Sequence, residues 1–424
     1  MLTRITSLLR SLAMLVCVAV LATTGLADKV VLKSGKTVEG TIAREESGHI
    51  WIKTTIGGIE REEFFSADEV ASVERGPVAG TTGAAATTAA PAPKKNTGAP
   101  KAAVITLGDE ENGHMVGIYM TAHQLEQMIP ILEKELGTDG TGIVVLRVHS
   151  GGGLTLEVQK LSDVIHNEYK KRWRTVAWID SAISAAAMTS HCMEDIYFTR
   201  QGNYGAATQY SGALNATKGR GLEEVLHRME KISARGGHHP LIARAMQIQQ
   251  PLSCTVRENG KVDWYGDVTS GEMVINPIGE VLTFNSETAL KCGFSKGTCE
   301  TLEELTKAMG YTELEWVGNN VRGFPWPISA AEKNNMEWRK KVKKDEDLTR
   351  KYQVDYTTAI NMAAQSPPED RGKFLGKARQ ALEQIQRMVK NNPNFSFMAF
   401  NMLMDEFDDW VKEQEKLIRE LARR

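Results

Sequence analysis

Apolar positions along this chain repeat with different periods in different stretches. Between residues 28 and 76, short β-branched runs at 30–32, 38–42, 50–54, 59–63 and 70–73 are separated by Ser34-Gly35, Ser47-Gly48 and Gly57-Gly58. Turn signals at such spacing predict a small β-meander or barrel. From residue 104 the pattern changes. Thr121 and Gln124 form a capping box, followed by Leu125, Met128, Ile129, Leu132 and Leu136 at helical spacing up to Gly137, with Pro130 expected to kink the helix. A strand at 143–148, a helix at 154–169, a strand at 175–179, a helix at 184–192 and a strand at 196–198 then alternate, which predicts parallel β–α units. Beyond residue 311 helical periods take over. Ser329 with Glu332, and Ser366-Pro367 with Glu369, read as helix starts. The stripes Leu375, Ala378, Leu382, Ile385, Val389 and Leu403, Phe407, Trp410, Leu417, Leu421 are amphipathic. Two or three helices are expected there, packed on the preceding domain or on a partner, and a structural cap is preferred to a dedicated adaptor.

Two turns in the alternating region carry chemistry. The run Val176-Ala177-Trp178-Ile179 leads through Asp180-Ser181-Ala182-Ile183 to Ser184, and then to Ala185-Ala186-Ala187-Met188. A serine where a strand meets a helix N-terminus has a free N–H beside it at Ala185, in a dipole field that favours negative charge. It can be a nucleophile whose oxyanion is held by backbone N–H groups, or an ordinary N-cap. Upstream, strand 143–148 runs into His149-Ser150-Gly151-Gly152-Gly153 ahead of a helix with Leu154, Val158, Leu161 and Ile165 on one stripe. Three glycines leave backbone N–H groups bare for an anion, although a tight turn would need only one.

The ordered pair, strand–glycine turn–helix and strand–Ser-Ala–helix, resembles the ClpP/crotonase superfamily, specifically its signal-peptide-peptidase-A and NfeD-type serine proteases. HSGGG stands at the family's glycine turn and AISAA at its serine. The resemblance runs over 104–311 and includes Asp195-Ile196-Tyr197-Phe198, Tyr204-Gly205-Ala206, Leu282-Thr283 and Gly293-Phe294. It implies an α/β fold with a ββα spiral core. Separately, the pattern of residues 28–76 resembles an SH3-like β-barrel, which would precede that core, and the helical periods beyond 311 would follow it as a tail. The ClpP/crotonase resemblance also implies an oxyanion hole from the N–H groups of Gly152 or Gly153 and of Ala185, and assembly into dimers or rings. Gly151 stands in place of the family's usual proline and Ala186 where a glycine often follows, departures compatible with a degenerate site.

The base is the open half of the pair. No histidine lies near Gln209, where the ClpP branch carries one, whereas the other two branches use a desolvated lysine. Lys218 and Lys231 are the candidates. Lys218 falls in line with the stripe Leu222, Val225, Met229, Ile232, and Lys231 points away from it, so Ser184/Lys218 is the expected dyad. Both being solvated surface lysines is the alternative. His191 reads as a core histidine, His149 as a turn histidine able to touch the site, and His238-His239 as a loop pair.

Composition narrows the rest. A formal net charge of −2 over 424 residues gives no polyelectrolyte signal, so no nucleic-acid partner is expected. Arg4 and Arg10 precede the apolar stretch 12–22, and Gly25-Leu26-Ala27 ends in small residues. This is the pattern of a signal peptide over 1–27, with an uncleaved N-terminal anchor as the alternative. Export would make the four remaining cysteines, Cys192, Cys254, Cys292 and Cys299, available for three possible pairings. Residues 77–103 are Ala/Thr/Pro/Gly-rich without period and read as a linker. The expected organisation is signal peptide 1–27, small β-barrel 28–76, linker 77–103, protease-like domain 104–311 and helical region 312–424. No metal or organic cofactor is implied. The expected function is an exported peptidase cleaving peptides or membrane-protein fragments. The rival is an inactive scaffold keeping the fold for binding; a coenzyme A-dependent crotonase is disfavoured in an exported protein.

Overall fold

The computed structural model describes residues 28–33, 36–46, 49–56, 59–65, 70–74, 98–111, 113–211, 215–216 and 218–423. The signal-peptide reading at 1–27 and most of the linker at 77–103 lie outside the described residues.

Five strands form the first unit: β1 (Asp28–Leu32), β2 (Thr37–Glu46), β3 (His49–Ile56), β4 (Ile59–Phe65) and β5 (Val70–Glu74). All neighbours pair antiparallel, in the order β4-β3-β2-β1-β5. Val30, Leu32, Val38, Ile42, Ile50 and Ile52 make its core. The alternation of buried and exposed positions within β1 and β2 gives the sheet one apolar face.

The second unit is built on a parallel sheet. Its strands are β6 (Lys101–Leu107), β7 (Ile143–Ser150), β8 (Arg174–Ile183) and β9 (Ile196–Gly205), paired in that order. Buried on both faces, they read as nearly continuous apolar runs. Ala103, Ile105, Val144, Leu146, Ala177 and Ile179 face one core, and Ala102, Val104, Ile143, Val145, Val176 and Trp178 face another. Helix α1 (Ala122–Leu136) starts where expected, with Thr121 accepting the Gln124 N–H, and runs through Pro130 as one element. Helix α2 (Thr155–Val164) passes into a π-helical turn (Ile165–Tyr169) before β8. Helix α3 (Ala185–Ser190) is shorter than the expected 184–192, and β8 and β9 are longer than expected. Residues beyond the apolar runs keep pairing, Ser181 with Asn203, Ala182 with Tyr204 and Ile183 with Gly205.

Further elements complete the layers. A two-residue hairpin, β10 (Tyr210–Ser211) with β11 (Asn215–Ala216), precedes α4 (Gly219–Arg235) and α5 (Pro240–Ile248). Strands β12 (Leu252–Val256), β13 (Val262–Tyr265) and β14 (Met273–Asn276) form a small antiparallel sheet. Strand β15 (Thr283–Asn285) adds to β9, followed by α6 (Ser286–Lys291), β16 (Gly297–Thr298) and α7 (Leu302–Ala308). Strand β17 (Glu315–Trp316) pairs parallel with β6, so the sheet takes in residues on both sides of the expected 104–311.

The C-terminal region holds α8 (Ala330–Gln365), α9 (Pro368–Asn391), α10 (Phe395–Phe400) and α11 (Met404–Arg423). Ser329 caps α8 as expected, accepting the Glu332 N–H. Ser366 does not start the next helix. It ends α8, its hydroxyl donating to the Met362 carbonyl, and Pro367 precedes α9 without a side-chain cap. Leu375, Ala378, Leu382, Ile385, Val389, Phe407 and Leu421 share a core, whereas Leu403 is exposed. The four cysteines expected to be open to pairing are buried free thiols, and burial pushes Cys192 and Cys292 up to about 12.

Candidate active site

One residue, Ser184, turns the chain from β8 into α3. Its φ of 56° and ψ of −124° place an L-residue in the left-handed half of the map, a conformation that costs on the order of 1–3 kcal/mol and persists only where the surroundings enforce it. They do so from both sides. The Ser184 N–H donates to the Gly205 carbonyl (2.9 Å) at the end of β9, and its carbonyl accepts the Met188 N–H (3.1 Å). Ala185, Ala186 and Ala187 are wholly buried beneath it. The Ser184 side chain makes no cap bond to its own helix, so the ordinary N-cap role is not the one it fills.

The glycine turn meets this corner directly. A Cβ on Gly152 would lie 2.6 Å from Ser184 Cβ and 3.0 Å from its Oγ, and one on Gly153 would lie 2.3 Å from the Val116 carbonyl oxygen. Each position has φ above +100° as well. Two glycines are therefore required here, more than a simple tight turn needs. The turn is tied down by Val116, whose N–H donates to the Gly152 carbonyl (3.0 Å) and whose carbonyl accepts the Leu154 N–H (3.0 Å). The Gly152 N–H donates to Ser150 Oγ (3.1 Å), and that hydroxyl donates in turn to the His114 carbonyl. Within the turn Gly151 and Gly153 are exposed and Gly152 is buried. At α3, the Ala185 N–H belongs to the first turn, which has no acceptor within the helix.

The other expected residues fall as follows. Lys218 is half-buried and stands at the N-cap of α4 rather than inside it, with Val225, Met229 and Ile232 buried along the helix behind it and Leu222 half-buried. Lys231 is exposed. His191 is a core residue, its Nδ1 2.9 Å from the Tyr204 hydroxyl and its ring 4.5 Å from that of His238. Burial holds His191 well below the ordinary histidine value and lowers His238 to about 4.

His149 is more than a turn residue. Its Nδ1 lies 2.7 Å from Asp180 Oδ2, and Arg147 reaches Asp180 Oδ1 at 3.1 Å. The hydrogen bond to Asp180 raises His149, and the same bond together with Arg147 lowers Asp180. Arg147 packs over Trp178, 4.3 Å from the ring centre. Arg147, His149 and Asp180 line a cavity of about 430 Å³ together with Thr106, Glu332, Arg339 and Trp326. Sequence reasoning passed over Arg147, Asp180 and Thr106. The available signal was period two: each is a polar residue on the face shared by Val145 or Trp178 or Val104, inside runs otherwise apolar. Among the described residues no group of histidine, cysteine or carboxylate side chains is arranged to hold a metal ion.

No family model matches the chain. Among curated proteins it is similar to membrane protein NfeD1b of Bacillus subtilis (strain 168), with 26% identity over 173 residues, 41% of this chain and 35% of that protein. The chain thus spans about a third of that relative's length. Among solved structures it is similar to a serine-to-alanine mutant of 1510-N membrane-bound stomatin-specific protease, at 14% identity and a TM-score of 0.36, covering 55% of this chain and 94% of that one. A lysine-to-alanine mutant of that protease in complex with a substrate peptide gives the same identity and TM-score, with 55% and 88% covered. No described helix of the present chain is long and apolar enough to cross a membrane.

Proposed function

We propose that this chain is a ClpP-like serine peptidase in which Ser184 is the acylated nucleophile and Lys218 the general base. The observation that carries the reading is the enforced corner: Ser184 held at φ 56° with Gly152 packed against its Cβ and Oγ. A serine fixed in that conformation without a capping role is spent on something other than starting a helix. The limited similarity to NfeD1b supports the same reading.

In the proposed reaction Ser184 Oγ adds to the scissile carbonyl carbon while the Lys218 amine takes its proton. The N–H groups of Gly153 and Ala185 receive the oxyanion, with Gly152 shaping the turn. Collapse of the tetrahedral adduct expels the amine product, which takes the proton back from Lys218, and water then hydrolyses the acyl-enzyme. Substrates are peptides or membrane-protein fragments. The full proposal adds export through residues 1–27 or anchoring by them, a barrel-like binding role for residues 28–76, and self-assembly of the 104–311 domain.

A second reading, an inactive binding scaffold, is favoured by one observation: the Gly152 N–H is already engaged by Ser150. A fluorophosphonate probe on the purified chain separates the two. The peptidase reading expects labelling that vanishes in Ser184→Ala. Lys218→Ala and Lys218→Arg should both slow acylation about 10²–10⁴-fold, because a guanidinium cannot serve as base, and Lys231→Ala should react normally. Absence of labelling in the native chain supports the scaffold, and a near-normal Lys218→Arg removes Lys218 from the mechanism.

A further inference from the structure

The helical C-terminal region reaches the glycine turn through a short relay of buried groups. Asn392 follows α9 and Asn394 precedes α10, and both are almost wholly buried. The Asn392 side-chain amide donates to the Ile118 carbonyl (2.9 Å) and, at 3.3 Å, to that of Gly117, while its Oδ1 accepts the Asn394 N–H (3.1 Å). Asn394 Nδ2 donates to the Gly117 carbonyl (2.9 Å) and to Glu157 Oε2 (3.0 Å). Glu157, 2% exposed, lies in the first turn of α2 and accepts the Ala122 N–H at the start of α1 (2.8 Å). The segment so gripped is the one that holds the turn: Val116 bonds Gly152 and Leu154 on either side of Gly153, and Gly117 lies so close to Leu154 that a Cβ there would be 2.8 Å from Leu154 Cδ1. Ile118 is itself part of the helical region's core.

We infer that Asn392 and Asn394 are positioning residues for the anion-binding glycine turn, so that the helical region sets the geometry of the Ser184 site rather than merely covering the domain. Two neighbouring carbonyls, Gly117 and Ile118, turn away from any helix or sheet ladder and are buried. Buried acceptors of this kind require donors, and the asparagine amides are the ones that satisfy them. Without those amides the 116–118 backbone loses its anchor, and the Val116 bonds to the glycine turn open with it. The catalytic half of this inference rests on the Ser184 reading; the mechanical half does not.

The test is made on the full chain carrying Asn392→Ala and Asn394→Ala together. Hydrogen exchange followed by mass spectrometry should show the Val116 and Leu154 amides exchanging about tenfold faster, with β7 unchanged. Fluorophosphonate labelling of Ser184 should slow by about the same factor, and kcat for a cleaved peptide should fall with KM held within about twofold. If the double variant does not fold, Asn394→Ala alone leaves Asn392 on both carbonyls and should give a smaller change in the same direction. Exchange at Val116 and Leu154 at the native rate in a cooperatively melting variant overturns the inference. So does faster exchange with undiminished labelling, which would make the relay structural only. If the native chain does not label at all, the Ser184 reading falls and exchange alone decides whether the clamp exists.

Discussion

Two corners stand at the C-terminal ends of the same parallel strands, and they are made of opposite materials. The Ser184 corner contains small residues, glycine backbone and no fixed ion pair. Its distinctive property is conformation: a positive φ at serine and two glycines that no side chain can replace. The cavity lined by Arg147, His149, Asp180, Glu332 and Arg339 is crowded with charge, and the charges are largely satisfied by one another. Arg339, 1% exposed, bonds the Thr106 carbonyl and hydroxyl, and lies 3.0 Å from Asp109 and 3.5 Å from Glu332. Glu332 also accepts the Thr106 N–H at 2.9 Å, and Asn335 donates to the Thr106 carbonyl at 2.8 Å. A dense set of titratable groups thus fastens α8 to β6, whereas the corner proposed to react carries almost none. On the proposed reading, backbone conformation rather than charge density marks the corner that reacts.

The charged corner depends most heavily on Arg339. Arg339→Leu leaves the wholly buried Glu332, already raised by burial, without its cation, and removing one partner of a buried pair costs about 3–5 kcal/mol. Urea denaturation should record that loss, while the folded fraction labels at Ser184 at the native rate. Slowed labelling in the folded fraction would mean that the two corners are coupled.

Gly152→Ala attacks the other corner without touching a charge. The added Cβ meets Ser184 Cβ at 2.6 Å, so the turn or the serine must move, and a displacement near 1 Å at a reacting group costs about 100-fold in rate. Fluorophosphonate kinetics should show at least that loss, and a rate within twofold of native would detach Gly152 from the site.

The smallest effect concerns pH. His149 is raised by its bond to Asp180, so its contribution to stability is complete below the unfolded histidine value of about 6.5 and fades as pH rises through its higher folded value. The ring is partly solvated, which limits the contribution to under about 1 kcal/mol. His149→Gln should flatten the decline in unfolding free energy above pH 6.5. An unchanged slope would assign that decline to another group.

Much of the architecture was legible because it depends on local period. Short, β-branched apolar runs such as 143–146 favour strands buried on both faces, and the Thr121 and Ser329 caps announce their helices through bonds made within three residues. Ser366-Pro367 marked the next helix start, at Pro368, but Ser366 misled as to the cap for the same reason. Its hydroxyl has a choice of local partners, and it takes the Met362 carbonyl behind it rather than an N–H ahead. The ends of β8 and β9 were hidden because pairing, not hydrophobicity, extends them.

By itself the sequence determined which residues are apolar and at what spacing, hence the strands, the main helices and the two turns at HSGGG and AISAA. These are properties of a residue and its near neighbours in the chain. Only the tertiary structure decided that Gly152 touches Ser184, 32 positions away, that Arg147 and His149 share Asp180, and that Asn392 and Asn394 hold carbonyls more than 270 positions upstream. Such contacts follow from how strands register and helices dock. That depends on packing summed over whole faces, and no local period encodes which distant residues those faces bring together.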